Sequence, residues 1–243
     1  MTHLNAAIKS KRLFILLIAT TLFWIFTLLW RAGWASVNYF QVQHWLYQWN
    51  TNSTNLTETQ FQAAQQAMEK VLALEPEHPH YLLMMAKVQE WGWYKGYLQS
   101  EQIVAVESYY QDAIKLRPAW AVAYADYAWY LSSVQFRVTD AFTQLTLAKK
   151  FGPYLDDVQQ RTLAVAFSRW SYLTVQQKAF AYQTLHQTIS SHQSLYSKTL
   201  ELVRTYKMQR LGCIYLRPKL EQASPLVTQR IQRDFCRNNT AKI

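Results

Sequence analysis

Leu13 to Trp30 reads LFILLIATTLFWIFTLLW, eighteen residues without a single charge. As a helix this run reaches about 27 Å, and its continuation through Arg31–Trp34 brings it to roughly the thickness of a bilayer's hydrocarbon core. Residues 13–34 are thereby expected to form a membrane span. Trp24 lies inside the run, whereas Trp30 and Trp34 fall where an interfacial aromatic belt is expected. Gly33-Trp34-Ala35 imitates a signal-peptide cleavage site, but the apolar stretch exceeds the usual signal length, so the span is expected to be retained.

Charge around the run orients it. Lys9, Lys11 and Arg12 stand just before it, and after Arg31 no Lys or Arg occurs until Lys70. The positive-inside rule then leaves the N-terminus in the cytoplasm and exports the rest. Residues 31–197 hold 12 basic and 12 acidic residues, while residues 198–243 hold 10 basic and 3 acidic, so the surplus of the exported part is 10 − 3 = +7 and lies in its last fifth. There Arg204, Lys207, Arg210, Arg217, Lys219 and Arg230, followed by Arg233 and Arg237, are interleaved with Tyr206, Tyr215 and Phe235. Such a tail suggests an anionic partner: acidic lipid, acidic polysaccharide or an acidic protein face. The alternative is a solvated helix face. Nucleic acid is not an expected partner outside the cytoplasm.

Cys213 and Cys236 both fall in this exported part, where oxidising conditions permit a bond. Pairing is expected, two free thiols being the alternative; the closed loop would stabilise by about 3 kcal/mol.

Five glycines and six prolines, with no clean alternating runs, argue for an all-α fold rather than a sandwich or barrel. Residues 35–60 carry Tyr39, Phe40, Trp45, Leu46 and Trp49 at near-helical spacing and then a polar stretch, NTNSTNLTE, which reads as a short juxtamembrane helix and a linker. Thr57-Glu58-Thr59-Gln60 is a capping-box sequence opening a helix to about residue 74. Further helices are expected at about 80–93, 101–116, 119–134, 139–150, 155–171, 174–190 and 194–210, with Pro76, Pro79, Pro118 and Pro153 in the joints.

The joints recur. Leu74-Glu75-Pro76 is echoed by Leu116-Arg117-Pro118, 118 − 76 = 42 residues on, and Pro153 follows after 153 − 118 = 35. The second interval is close to the tetratricopeptide period of about 34, and the first contains the extra GWYKGYLQ. The large–large–small positions of a first helix are filled by Leu82, Met85, Ala86 and by Tyr124, Tyr127, Ala128. The small–large–small positions of a second helix fit Val106, Tyr110, Ala113 and Ala141, Leu145, Ala148. After Pro153 the register blurs. An N-terminal transmembrane helix followed by a tetratricopeptide-like solenoid of helical hairpins is therefore expected. Its parts are a cytoplasmic basic tail (1–12), the anchor (13–34), the juxtamembrane helix and linker (35–60), helical repeats (61–193) and a basic C-terminal helical segment (194–243).

Stacked first helices line a concave groove. The register puts Lys87, Glu90 and Trp91 of one repeat beside Trp129 of the next, and Trp91, Trp93 and Trp129 are the expected groove contacts, with Arg204, Lys207 and Arg210 for the anionic partner. Each of these aromatics has core packing as its competing fate. His78 and His80, with Glu75 and Glu77, form a loop that is better read as helix punctuation than as a metal site. No phosphate loop, nucleophile elbow or exported Cys-x-x-Cys is present, Asp156-Asp157 fits a helix first turn, and neither a catalytic role nor a cofactor is expected.

The basic tail, the single span, LEPEHPHY followed by EWG, and IKLRPAWAVAYADYAWYL together resemble VpsP-type proteins of bacterial exopolysaccharide biosynthesis clusters. The resemblance implies a role in the synthesis or export of a biofilm polysaccharide at the inner membrane, with no catalytic function attached. A periplasmic scaffold that contacts inner-membrane polysaccharide proteins is the function it suggests. Direct binding of an anionic polysaccharide is the alternative.

Overall fold

The span does not end where the membrane should. In the computed structural model, which describes residues 2–236 and side chains from Phe14 onward except that of Ser100, α1 runs unbroken from Thr2 to Thr51. Residues 35–51 are thus the last third of α1 rather than a separate juxtamembrane helix, and among the described residues the only other structure before residue 57 is a 3-10 turn at Ser53–Asn55. No proline interrupts the stretch, and its one glycine, Gly33, is tolerated inside the helix. The segment Phe14–Thr51 includes a window long and apolar enough to cross a bilayer, with none of that window buried in the protein.

Among the described residues no strand is present, and the chain divides into two compact units, Met1–Leu116 and Arg117–Ile243. In the first, α1 packs against α2 (Glu58–Leu74) and α3 (Pro79–Tyr94), and α3 packs against α5 (Val106–Leu116) through the short α4 (Ser100–Val104). Ala35, Val42, Leu46 and Trp49 form the buried stripe of α1, meeting Phe61, Ala64, Met68 and Val71 of α2 and Tyr81, Met84, Met85 and Val88 of α3. Their spacing of seven, four and three residues is that of one helix face. Thr57 makes the expected capping box with Gln60, which fixes the start of α2. Arg31 Nη2 donates to the Leu74 carbonyl at 2.7 Å, tying the end of α2 to α1 at the point where the apolar run stops. Gly92 lets α3 approach α2: a Cβ there would meet the Phe61 ring at 2.3 Å.

The second unit holds α6 (Ala121–Ser133), α7 (Val138–Phe151), α8 (Asp156–Ser168), α9 (Val175–Ile189), α10 (Gln193–Thr205), α11 (Gln209–Leu216) and α12 (Pro225–Ile231). Helices α6 and α7 pair, as do α8 and α9; α8 also packs against both α6 and α10. The second-helix positions of the sequence pattern, Ala141, Leu145 and Ala148, are all fully buried, and Ala181, Leu185 and Thr188 of α9 repeat their spacing and their burial. After Pro153 the first-helix positions Gln159, Thr162 and Leu163 are buried too. The spacing of buried positions thus recurs after Pro153 with different residue types.

One contact explains how. Tyr124 Oη donates to the Pro118 carbonyl at 2.9 Å, and Gln159 Nε2 donates to the Pro153 carbonyl at 3.1 Å, each bridging six residues. A glutamine amide thus replaces a tyrosine hydroxyl in the same task, closing the turn before a first helix. Contacts between neighbouring hairpins recur at similar intervals: Arg161 to Asp126 and Lys149 to Thr184 are each 35 residues apart, and His192 to Asp156 is 36.

Candidate functional site

The first helices of the second unit carry a cluster of cations and rings. Asp126 on α6 is buried, and Arg161 on α8 donates to its Oδ1 from Nε at 3.2 Å and from Nη2 at 2.9 Å. The Arg161 guanidinium also lies 5.2 Å from the centre of the Trp129 ring, one helical turn along α6. The carboxylate therefore fixes the cation, and the cation covers one part of an indole that stays half-exposed.

Arg169, at the end of α8, donates from Nε to the Ser132 carbonyl at 3.0 Å and from Nη2 to the Ser133 carbonyl at 3.4 Å. It thereby satisfies carbonyls that the last turn of α6 leaves open. Its guanidinium sits 4.5 Å from the Phe136 ring. Phe136 is 64% exposed and has φ 57°, a left-handed backbone that a residue with a Cβ seldom adopts. Tyr206, just beyond α10, completes the cluster: burial pushes its phenol above the ordinary value, and the nearby charges of Arg161 and Arg169 pull it partly back. Trp129, Phe136, Arg161, Arg169 and Tyr206 thus combine ring faces with two guanidiniums, a chemistry suited to stacking on a flat or cyclic ligand and drawing in negative charge.

No family model matches the chain, and no curated protein matches its sequence.

Trp129 is the sequence-predicted contact that joins this cluster. Trp91 and Trp93 instead pack, half-buried, against the core of the first unit, and Trp91 meets Trp49 edge-on at 6.3 Å. Glu90 accepts a hydrogen bond from the buried Tyr110, and Lys87 is half-buried on α3. In the loop before α3, His78 stacks on Tyr81 at 3.9 Å and lies 5.8 Å from His80.

The basic C-terminal segment splits into two populations. Arg204, Lys207, Arg210 and Arg217 are exposed. Arg230 is buried, donating to the carbonyls of Ile189 and Ser191, both at 2.7 Å, and lying 4.1 Å from the Tyr196 ring. Arg233 pairs with Asp234 at 2.8 Å, and Asp234 also accepts from Tyr196. Burial would raise the Asp234 carboxyl, but the bonds from Arg233 and Tyr196 and the charge of Arg204 outweigh it and hold it below the usual range. So part of the apparent surplus is spent inside the fold, while Arg237 lies outside the described residues. Cys213 and Cys236 are joined by a disulfide that clips residues 232–236 onto α11. Gly212 beside it lies under the Phe235 ring, which a Cβ would meet at 2.7 Å.

Sequence reasoning missed Arg161 and Arg169. Their signal was present: each lies 35 to 37 residues after a polar group on α6, close to the repeat interval.

Proposed function

We propose that the protein is a non-catalytic adaptor: α1 anchors it in a bacterial inner membrane with the N-terminus cytoplasmic, and tetratricopeptide-like hairpins in the periplasm dock partners of an exopolysaccharide assembly system. The anchor reading is supported by the apolar window of α1, and the orientation by Lys9, Lys11 and Arg12 ahead of it. A disulfide between Cys213 and Cys236 suits an oxidising compartment. The pathway rests on the resemblance to VpsP-type proteins. A non-catalytic role fits an Asp126 carboxylate engaged by Arg161 rather than held ready to move a proton.

The observation that carries the docking role is the Trp129–Arg161–Arg169–Tyr206 cluster on adjacent first helices. Photo-crosslinking groups at Phe136 and Arg204, with exposed Val175 of α9 as control, test it in intact membranes. The expected result is capture, at the first two positions only, of membrane proteins of polysaccharide assembly. Capture of neither protein nor glycan sinks the reading.

Direct carbohydrate binding is the second reading, favoured by a half-exposed indole under Arg161 and an exposed phenyl ring under Arg169. Purified polymer would then quench tryptophan fluorescence in the wild type and do so much less in Trp129→Phe.

A further inference from the structure

We infer that α1 carries a parallel coiled-coil seam through which two copies of this chain pair, both within the membrane and for some 20 Å beyond it. Leu16, Ala19, Phe23, Phe26 and Trp30 are followed by Gly33, Val37, Phe40, His44 and Tyr47, alternating steps of three and four without a break. All ten are exposed. The stripe lies about 150° around the helix from the face that packs on α2 and α3, so the chain's own core cannot cover it.

Lipid covers such a stripe inside a bilayer, but not above it. Because α1 continues without a break to Thr51, Tyr47 stands about 25 Å past Arg31 along the helix, out of reach of acyl chains. Val37, Phe40 and Tyr47 are nevertheless 61%, 62% and 71% exposed. An apolar row in water that continues, in register, the row inside the membrane calls for an occupant that also crosses the membrane.

A second copy fits this requirement. The inference rests on α1 spanning the bilayer as proposed above; two copies inserted with the same orientation meet parallel and bring identical rows together in register. In heptad terms Val37 and His44 fall at a, and Phe40 and Tyr47 at d; a β-branched residue at a favours two strands, and a single polar a residue fixes alignment. Charge permits the pairing. No Asp, Glu, Lys or Arg occurs from Ala32 to Thr57, and the flanking positions hold Trp34, Gln41 and Gln48 on one side and Ser36, Gln43 and Asn50 on the other. Gly33, at d, has open space where its Cβ would stand, which lets two backbones approach at the membrane exit. Area permits it too. Phe23, Phe26, Trp30, Phe40 and Tyr47 are 60–71% exposed, and five such rings present on the order of 600 Å² per copy. The aliphatic members bring the row close to the roughly 800 Å² per partner of stable interfaces.

Oxidative cross-linking of the full-length protein in membranes tests the seam, with single cysteines introduced as Val37→Cys, Phe40→Cys and Tyr47→Cys, and as Asn38→Cys and Gln43→Cys off it. Carbonate extraction of the same membranes checks separately that the chain is integral; its release would remove the span and the pairing together. For an integral protein, covalent dimer at the three seam positions is expected to exceed that at the other two at least five-fold. Phe40→Glu should weaken self-association in detergent by more than ten-fold, measured by sedimentation, with an unchanged thermal melt. Equal cross-linking at all five positions, a monomeric wild type, or a Phe40→Cys adduct to a different polypeptide would overturn the inference.

Discussion

Arg161 does two things with one guanidinium. It neutralises a buried carboxylate and it lies over the indole that the proposed site offers to a ligand. Removing it leaves Asp126 without those bonds, so Arg161→Ala should lower the unfolding free energy by about 2 kcal/mol in urea titrations. Asp126→Leu combined with Arg161→Met should cost less than Arg161→Met alone, because the uncompensated charge goes with its partner. A ligand-binding loss in the double variant would then report on the cation rather than on the fold. Tyr196 gives a pH prediction. Burial first, then the bond to Asp234 and its charge, push the phenol from 10.0 up to about 12, with Arg233 pulling the other way. The folded state thus favours the neutral phenol. Its contribution is complete below pH 10 and is lost as pH rises through the folded value near 12, so stability should fall between those limits. Tyr196→Phe should flatten that alkaline fall, as followed by circular dichroism.

Helix boundaries were legible because local chemistry writes them. Capping boxes at Thr57 and Thr174 and the proline at the first turn of α3 bind or fix the chain within a few residues of those ends, with no distant partner. The fate of a tryptophan was not legible. Trp91 is half-buried because Trp49, 42 residues earlier, lies beside it, and nothing near Trp91 in sequence states that. The extent of α1 was hidden for another reason: the change from apolar to mixed residues at Ala35 resembles a boundary, yet the helix runs through it to Thr51. Close helix approach is a further property that only packing reveals. Gly92 places α3 directly against the buried Phe61 ring, so Gly92→Ala should force that ring aside despite alanine's better helix propensity. A net loss of about 1–3 kcal/mol is expected, against a slight gain for Gly33→Ala, where the space is open. Chemical denaturation of the two variants compares them directly.

For the molecule as a whole, the apolar window and part of the core share one helix, and the partition between them can be located. Among the residues of α1 whose side chains are described, Ala35 is the first that is fully buried, and Val42, Leu46 and Trp49 follow it into the core of the first unit. Everything before it, from Phe14 to Trp34, is exposed or only half-covered. A chain beginning at Ala35 should therefore keep its fold while losing membrane attachment, since it discards the apolar window and retains all four α1 side chains of the buried core, giving up only the Arg31 bond to the Leu74 carbonyl. A chain beginning at Asn52 removes Trp49 and three further core residues. At about 1.5–3 kcal/mol for each large buried apolar side chain, that loss rivals the stability of a typical domain. The shorter chain should be insoluble, or expanded with exposed apolar surface that binds hydrophobic dyes. The longer one should be soluble, helical and cooperative in its melt. A conventional cut at the end of the apolar run and one at the end of the helix differ by only 17 residues, yet the second should destroy what the first leaves intact. If both fragments melt alike, residues 35–51 of α1 are a tether and not members of the core.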